Sequence, residues 1–316
     1  MTTDPASELG GQRVLVTGGA GFVGSHLTGA LTDRCEVTVL DDCSTGEPGN
    51  VPDGAELIRG DVRDPTDLER AMDGVEVVFH QAALADARAS LRSPVEGHRR
   101  TATGTVKVLD AARRADARVV TASSAAVYGR PDTLPIRESD RKTPLTPYGI
   151  DKLAADQYTR RFADRYGLET VTLRYFNVYG PGPTGHRSGP GDVVGTFLDR
   201  ARSGDVLPIE GDGTQTRDFV HVEDVVRANL RAATTDATGR AYNVGSGSGV
   251  SVREVAERVV RLVDSDSEIV HNDPREGASR HRRAALGRAR SRLGYEPAYS
   301  FEEGLTTLVD RAAVPG

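Results

Sequence analysis

Short runs of aliphatic and β-branched residues alternate with helically spaced segments through the first half of the chain. Val14-Leu15-Val16, Glu36 to Leu40, Glu56 to Arg59, Val75 to His80, Arg118 to Ala122 and Glu169 to Arg174 read as strands. Helical stretches fall between them at Ser25 to Leu31, Pro65 to Met72, Pro94 to about Ala115 and Tyr148 to about Tyr166. Runs that are apolar throughout, rather than alternating, belong to strands covered on both faces. The pattern therefore predicts an α/β fold built on a parallel, doubly wound sheet. Arg130 to Thr146, rich in Pro and charge, reads as a loop.

From Tyr175 the character changes. Pro181 to Gly191 is a Gly/Pro-rich loop, expected to be mobile, and it is followed by a helix at Val193 to Ser203 and a short strand at Leu207 to Ile209. Further helices are expected at Val222 to Ala233, Val252 to about Leu262 and Phe301 to Arg311, with a strand at Ala241 to Val244. We divide the chain into a sheet domain over residues 1–176, rejoined by the segment 217–238, and a smaller α/β lobe over residues 177–316.

The stretch Arg13 to Leu27 gives the larger part its chemistry. Gly19, Gly21 and Gly24 satisfy G-x-G-x-x-G, and Gly18, Gly21 and Gly24 satisfy G-x-x-G-x-x-G, directly after a strand and before a helix. Residues without side chains let a pyrophosphate approach the backbone N–H groups at a helix N-terminus, which favours negative charge. The second strand ends in Asp41 and Asp42, at the distance where a carboxylate meets the adenosine ribose. The combination predicts a Rossmann-type dinucleotide site, and Asp41 would repel a 2′-phosphate, so NAD is expected over NADP. Phe22 and Val23 in the turn, and Gln81, Ala82 and Ala83 at the carboxyl end of the fourth strand, are expected to line the same cofactor, as is Tyr175.

Composition narrows the partners. The chain has 316 residues and a formal net charge of −6, with no basic stripe of the kind phosphate backbones require, so nucleic acid is not expected. Cys35 and Cys43 are too few for a disulfide framework, and the N-terminus lacks a signal-peptide pattern, so a reducing cytoplasm is the expected home. No apolar run approaches the ~18 residues of a membrane span. The seven histidines are scattered, and no metal is expected. Only Lys107, Lys142 and Lys152 of the 40 basic residues are lysines, which draws attention to each.

Tyr148 and Lys152 stand at i and i+4, so both side chains share one helix face. Lowering a phenol from ~10 to ~7 requires about 4 kcal/mol. An ammonium at ~5 Å supplies roughly 3 kcal/mol at an effective dielectric near 20. A nicotinamide cation would supply the remainder, making Tyr148 a general base. Ser124, closing a buried strand, would hold a hydroxyl against the same substrate oxygen. The set describes hydride transfer at a secondary alcohol.

These motifs together resemble the NAD-dependent sugar-nucleotide epimerase/dehydratase family of extended short-chain dehydrogenases/reductases. The resemblance is carried by Thr17 to Gly24, Gly60 to Asp64, Ser124 with Val127 to Gly129, Pro147 to Lys152, Leu173 to Gly180, Gly211 to Asp218 and Tyr242 to Gly245. It implies that Asp61 and Val62 flank the adenine and that Asn177, Arg217 and Arg275 hold the diphosphate of a UDP- or dTDP-sugar. It also implies a homodimer through helices near 95–115 and 149–166.

Dehydratases of the family carry Thr-Asp-Glu where this chain has Ser124-Ala125-Ala126, and decarboxylases carry a Glu before the Val. Without a carboxylate there, oxidation and return reduction are the chemistry left, and 4-epimerisation is the expected reaction. Alternatives are a dehydrogenase or reductase that releases a keto sugar, a UDP-uronate epimerase, and an NAD(P)-sensing regulator without catalysis. The chain departs from the family pattern at Leu84 to Arg88, Thr101, Ala278 and Arg282. These positions cluster on the substrate side, where Arg88 and Arg282 would suit a sugar carboxylate.

Overall fold

The computed structural model describes residues 5–182, 192–273 and 279–310. After a short helix α1 (Pro5–Glu8), the chain enters the strands β1 (Arg13–Thr17), β2 (Glu36–Asp41), β3 (Ala55–Arg59), β4 (Val77–His80), β5 (Arg118–Ser124) and β6 (Thr170–Tyr175). With β11 (Arg240–Val244) they form one seven-stranded sheet in the order β11-β6-β5-β4-β1-β2-β3. Every neighbouring pair is parallel. Strand β4 is buried along its whole length, as is β6, which explains their lack of alternation.

The strand order reverses between β4 and β1, and this opens a crevice beyond their carboxyl ends. Helix α2 (Phe22–Leu31) packs with α9 (Val222–Thr234) on one face; α6 (Gly104–Ala115) packs with α7 (Pro147–Tyr166) on the other, beside α3 (Pro65–Ala71). The return of the chain to the sheet thus runs beyond residue 238 to the end of β11 at Val244.

The remaining elements are built around a separate core. Helix α8 (Val193–Ser203), strand β8 (Leu207–Glu210), helix α10 (Val252–Leu262) and helix α12 (Phe301–Asp310) bury Phe197, Ile209, Val255 and Phe301 together. Parallel pairs join β7 (Asn177–Tyr179) to β10 (Phe219–His221) and β8 to β13 (Ile269–Asn272), while β9 (Thr216–Arg217) runs antiparallel to β12 (Val250–Ser251). The expected Pro181 to Gly191 loop falls largely outside the described residues. No helix among the described residues is long and apolar enough to cross a membrane.

The long helix expected from Pro94 to Ala115 keeps helical backbone throughout but contains a π turn, and a short helix that was not expected precedes it. Helix α4 (Ala87–Arg92) stops at Ser93, because Pro94 cannot continue it; α5 (Pro94–His98) follows, then a wide π turn at Arg99–Thr103 before α6. At the π turn the Thr101 carbonyl accepts the Thr105 hydroxyl at 2.7 Å. The Arg130 to Thr146 segment is irregular as expected, yet it buries Ile136 and Glu138.

Helix α7 is seated on the sheet by buried polar groups. Thr146 caps its N-terminus by accepting the Gly149 N–H, Pro147 fills the first position, and Gly167 ends it at φ 71°. Arg174 on β6 is 1% exposed and donates to the fully buried Asp156 of α7 through Nε at 2.7 Å. Lys152 Nζ donates to the Ala122 carbonyl of β5 at 2.8 Å, and Thr159 donates to the Thr121 hydroxyl at 3.2 Å. Removing one partner of a buried pair leaves the other uncompensated. Arg174→Met is therefore expected to destabilise the chain by about 3 kcal/mol, at the low end because Arg160 still reaches Asp156. The urea midpoint measures this, and an unchanged midpoint would contradict it.

Candidate active site

After β1 the chain turns at Gly18 with φ 72°; a Cβ there would stand 2.6 Å from the Ala82 nitrogen. A Cβ at Gly24 would stand 2.1 Å from the Gly18 carbonyl oxygen. These contacts explain the glycine spacing as close packing of backbone on backbone. Helix α2 opens at Phe22 with Gly21 as its N-cap and no side-chain cap, so its first N–H groups are left to meet an anion. A bare helix start behind a glycine-rich turn, whose one side chain, Ala20, is buried, fits the pyrophosphate of NAD.

Asp41 has a structural task that its spacing does not show. It is buried, and its carboxylate accepts the Ala20 N–H at 2.9 Å and the Cys43 N–H at 2.8 Å, so it braces the glycine turn. Burial, the largest influence, raises its proton affinity. It still borders the cavity beside the exposed Asp42. Around this end, Arg63 pairs with Asp61 at 2.6 Å and with Glu96 at 2.9 Å. Arg100 in turn pairs with Glu96 at 2.7 Å and Asp42 at 3.6 Å. The hydrogen bonds of Arg63 hold the Asp61 carboxyl below its ordinary range.

The crevice is one cavity of about 920 Å³, within the range of cofactor and ligand sites. Gly18, Gly21, Phe22, Val23, Asp41, Asp42, Asp61 and Val62 line its dinucleotide end. Gln81, Ala82, Ala83, Ser124, Tyr148, Lys152, Tyr175 and Asn177 line the remainder, with Asp192 and Thr196 contributed by the smaller lobe. Arg217 does not border this cavity; it is half-buried on β9, its guanidinium donating to the carbonyls of Thr216 and Arg280. Arg275 and Ala278 lie outside the described residues. Arg88 is turned outward, 71% exposed and 3.9 Å from Glu210. Among the described residues, no three His, Cys, Asp or Glu side chains are gathered as metal ligands would be.

Tyr148 and Lys152 face the cavity from one side of α7, and the Tyr148 phenol hydrogen-bonds the Ser124 side chain at the end of β5. The electrostatics differ from expectation. Burial raises the phenol above its ordinary value, opposed by the Ser124 hydrogen bond, and the nearby ammonium is not among the causes of the shift. Burial also brings Lys152 down to about 8. The protein's own groups therefore hold Tyr148 protonated, because desolvation outweighs the attraction estimated from spacing alone. Behind them His80 is neutral, brought down to about 3 by burial and, to a smaller extent, by the Lys152 charge. It bridges Thr17 at 2.7 Å and Thr105 at 3.0 Å.

Several residues of the site carry no sequence signal. Asn229 on α9 donates to the Tyr175 hydroxyl at 2.8 Å, and Gln81 reaches the Asn229 side chain at 3.2 Å, so Tyr175 and Gln81 are fixed by a helix distant in sequence. Asn50 donates to the Ala20 carbonyl at 3.0 Å and steadies the glycine turn from a loop. Ser90 accepts the backbone N–H of Tyr148 at 3.1 Å. An isolated polar residue in a loop or short helix is not distinguishable from surface until its partner is in place.

The description NAD dependent epimerase/dehydratase family matches residues 14–245. The UDP-glucose 4-epimerase of Azospirillum brasilense is 35% identical over 334 residues, covering 96% of this chain and 96% of that protein. The solved UDP-glucose 4-epimerase of Thermotoga maritima with UDP-glucose is 34% identical with a TM-score of 0.90, over 95% of this chain and 98% of that one. MoeE5 in complex with UDP-glucuronic acid and NAD is 36% identical with a TM-score of 0.86, again over 95% of this chain and 98% of that one. With its parallel sheet and glycine turn, the chain belongs to the NAD dependent epimerase/dehydratase family, an enzyme of the extended short-chain dehydrogenase/reductase type that works with NAD.

Proposed function

We propose that this enzyme inverts the C4 configuration of a UDP-hexose of the glucose/galactose type through a transient 4-keto sugar. The observation that carries the reading is the trio Ser124, Tyr148 and Lys152 on one cavity wall, with Ala125 and Ala126 beside it where elimination chemistry would need carboxylates. In this reading Tyr148 takes the proton of the 4-OH, Ser124 orients that hydroxyl, and Lys152 faces the cofactor ribose while its charge supports the phenolate. NAD bound along the glycine turn would supply a reversible hydride acceptor for C4 and, when oxidised, a positive charge that favours the phenolate of Tyr148. Asn177, on the cavity wall, holds the diphosphate with Arg275 and with Arg217, whose guanidinium would leave the Thr216 and Arg280 carbonyls to reach it, so that the keto sugar turns without leaving. The smaller lobe, residues 177–316 less the segments that rejoin the sheet, is the substrate-binding part. Leu91, Val95 and Ile150, 53%, 64% and 56% exposed on the adjacent helices α4, α5 and α7, supply an apolar face for a homodimer.

A second reading, a UDP-uronate epimerase, is favoured by Arg282. Its guanidinium donates to the Gly129 carbonyl at 3.2 Å, while its buried Nε has no partner among the described residues. Burial, and then the charge of Arg217 nearby, bring Arg282 down to about 10. Two adjacent cations with an unused donor suit an acidic group on the sugar.

Incubating the purified enzyme with UDP- and dTDP-sugars and separating the products tests both readings. UDP-glucose and UDP-galactose are expected to interconvert without added NAD, and Tyr148→Phe is expected to lose at least about a hundredfold in kcat. Release of a keto sugar, or normal turnover by Tyr148→Phe, would contradict the proposal. Under the second reading UDP-glucuronate outcompetes UDP-glucose, and Arg282→Gln removes that preference. Because Lys152 loses its proton above about 8, kcat/KM is expected to fall as pH rises through that value. A flat profile to pH ~10, where an unperturbed lysine still holds its proton, would show that the ammonium is not required.

A further inference from the structure

We propose that Ser90 is a positioning residue for the phenol, acting through the backbone of Tyr148; this rests on the reading of Tyr148 as the base. The first N–H groups of a helix have no partner within it. In α7, Pro147 has no N–H to satisfy, Gly149 donates to the Thr146 side chain, and Ile150 donates to the Thr146 carbonyl. The Tyr148 N–H is satisfied by Ser90, a residue of another helix 58 positions earlier, at 3.1 Å. Ser90 is fully buried, and its own proton goes to the Ala87 carbonyl at 2.8 Å, which leaves an oxygen lone pair for Tyr148.

Two serines thus bracket one tyrosine. Ser90 holds its backbone and Ser124 meets its hydroxyl. The short helix that carries Ser90 is itself part of the cavity wall, since Asp86, which caps it, and Ala89 both border the cavity. Without the Ser90 oxygen the partly buried N–H loses its partner, the first turn of α7 relaxes, and the phenol draws away from Ser124. That hydrogen bond is what opposes the effect of burial on the phenol, so its proton affinity rises further. The ionisable groups around this turn are Lys152 and Asp151 on α7, Asp86 and Arg88 at α4, and His98 on α5, which pairs with Asp151 at 2.9 Å. A substitution at position 90 changes the charge of none of them.

The test uses the NAD-loaded full chain with the sugar nucleotide that the wild type turns over. Ser90→Ala is expected to lower kcat about tenfold with KM within about twofold, the loss of one hydrogen bond at the reacting group. The acid limb of kcat/KM is expected to move up by about one pH unit, with bound NAD unchanged. Ser90→Thr, which keeps the hydroxyl, restores the limb. His98→Ala loosens the neighbouring contact of α5 with α7 at Asp151 without touching Tyr148 and leaves the limb in place. Wild-type kcat and limb in Ser90→Ala, or an equal limb shift in His98→Ala, would overturn the proposal. Should Ser90→Ala not fold, Ser90→Cys, a weaker acceptor of similar size, carries the same test. Normal turnover by Tyr148→Phe would instead remove the reading beneath it.

Discussion

The site depends on how one helix is registered against two strands. The buried pair of Arg174 on β6 and Asp156 on α7 sets that registration from one side, and the Lys152 bond to the Ala122 carbonyl sets it from the other. Strand β5 supplies both that carbonyl and Ser124, so the relation of phenol, hydroxyl and amine is a relation between one strand and one helix. A slip of α7 by one turn, ~5.4 Å, would carry the phenol and the amine together away from Ser124 and the Ala122 carbonyl. A buried ion pair adds little net stability compared with apolar packing, but it tolerates few alternative positions. Registration is where that intolerance is useful.

The same burial sets the chemistry. Desolvation raises the Tyr148 phenol and lowers the Lys152 ammonium, so each group is moved toward its neutral form. The protein therefore provides a phenol and an amine in position rather than a ready phenolate. In the proposed reaction the positive charge that tips the balance arrives with the oxidised cofactor, which ties proton removal to the step that needs it. His80, neutral behind Lys152 and held between Thr17 and Thr105, supports the ends of β1 and β4 without adding a competing charge.

Much of the fold was legible because parallel strands buried on both faces leave continuous apolar runs, and Val77–His80 is one of them. The glycine turn and the Tyr148/Lys152 pair were legible because each depends on residues close in sequence. Pro94 was read correctly as a helix start, but the short helix at Ala87–Arg92 and the π turn at Arg99–Thr103 were not, because one is too short to show a period and the other leaves the helical spacing on both sides unbroken. Asp41 borders the cavity, but its hold on Ala20 was invisible, since a carboxylate that braces a turn has the same spacing as one that meets a ribose. Ser90, Asn229 and the Arg63-Glu96-Arg100 chain act across long sequence separations, and no periodicity marks them. Arg217 illustrates the reverse case: its motif was plain, yet it does not border the cavity.

The central claim is that the Tyr148 phenol becomes a base through the amine beside it and the cofactor charge. The most direct measurement is the titration of the phenol itself, by NMR of ring-carbon-labelled tyrosine in the NAD-loaded protein, with Tyr148→Phe identifying the signal among the nine tyrosines. The account predicts a midpoint well below the ordinary ~10 of tyrosine and a clear rise in Lys152→Met. A midpoint at or above that value, the same in both proteins, would contradict it.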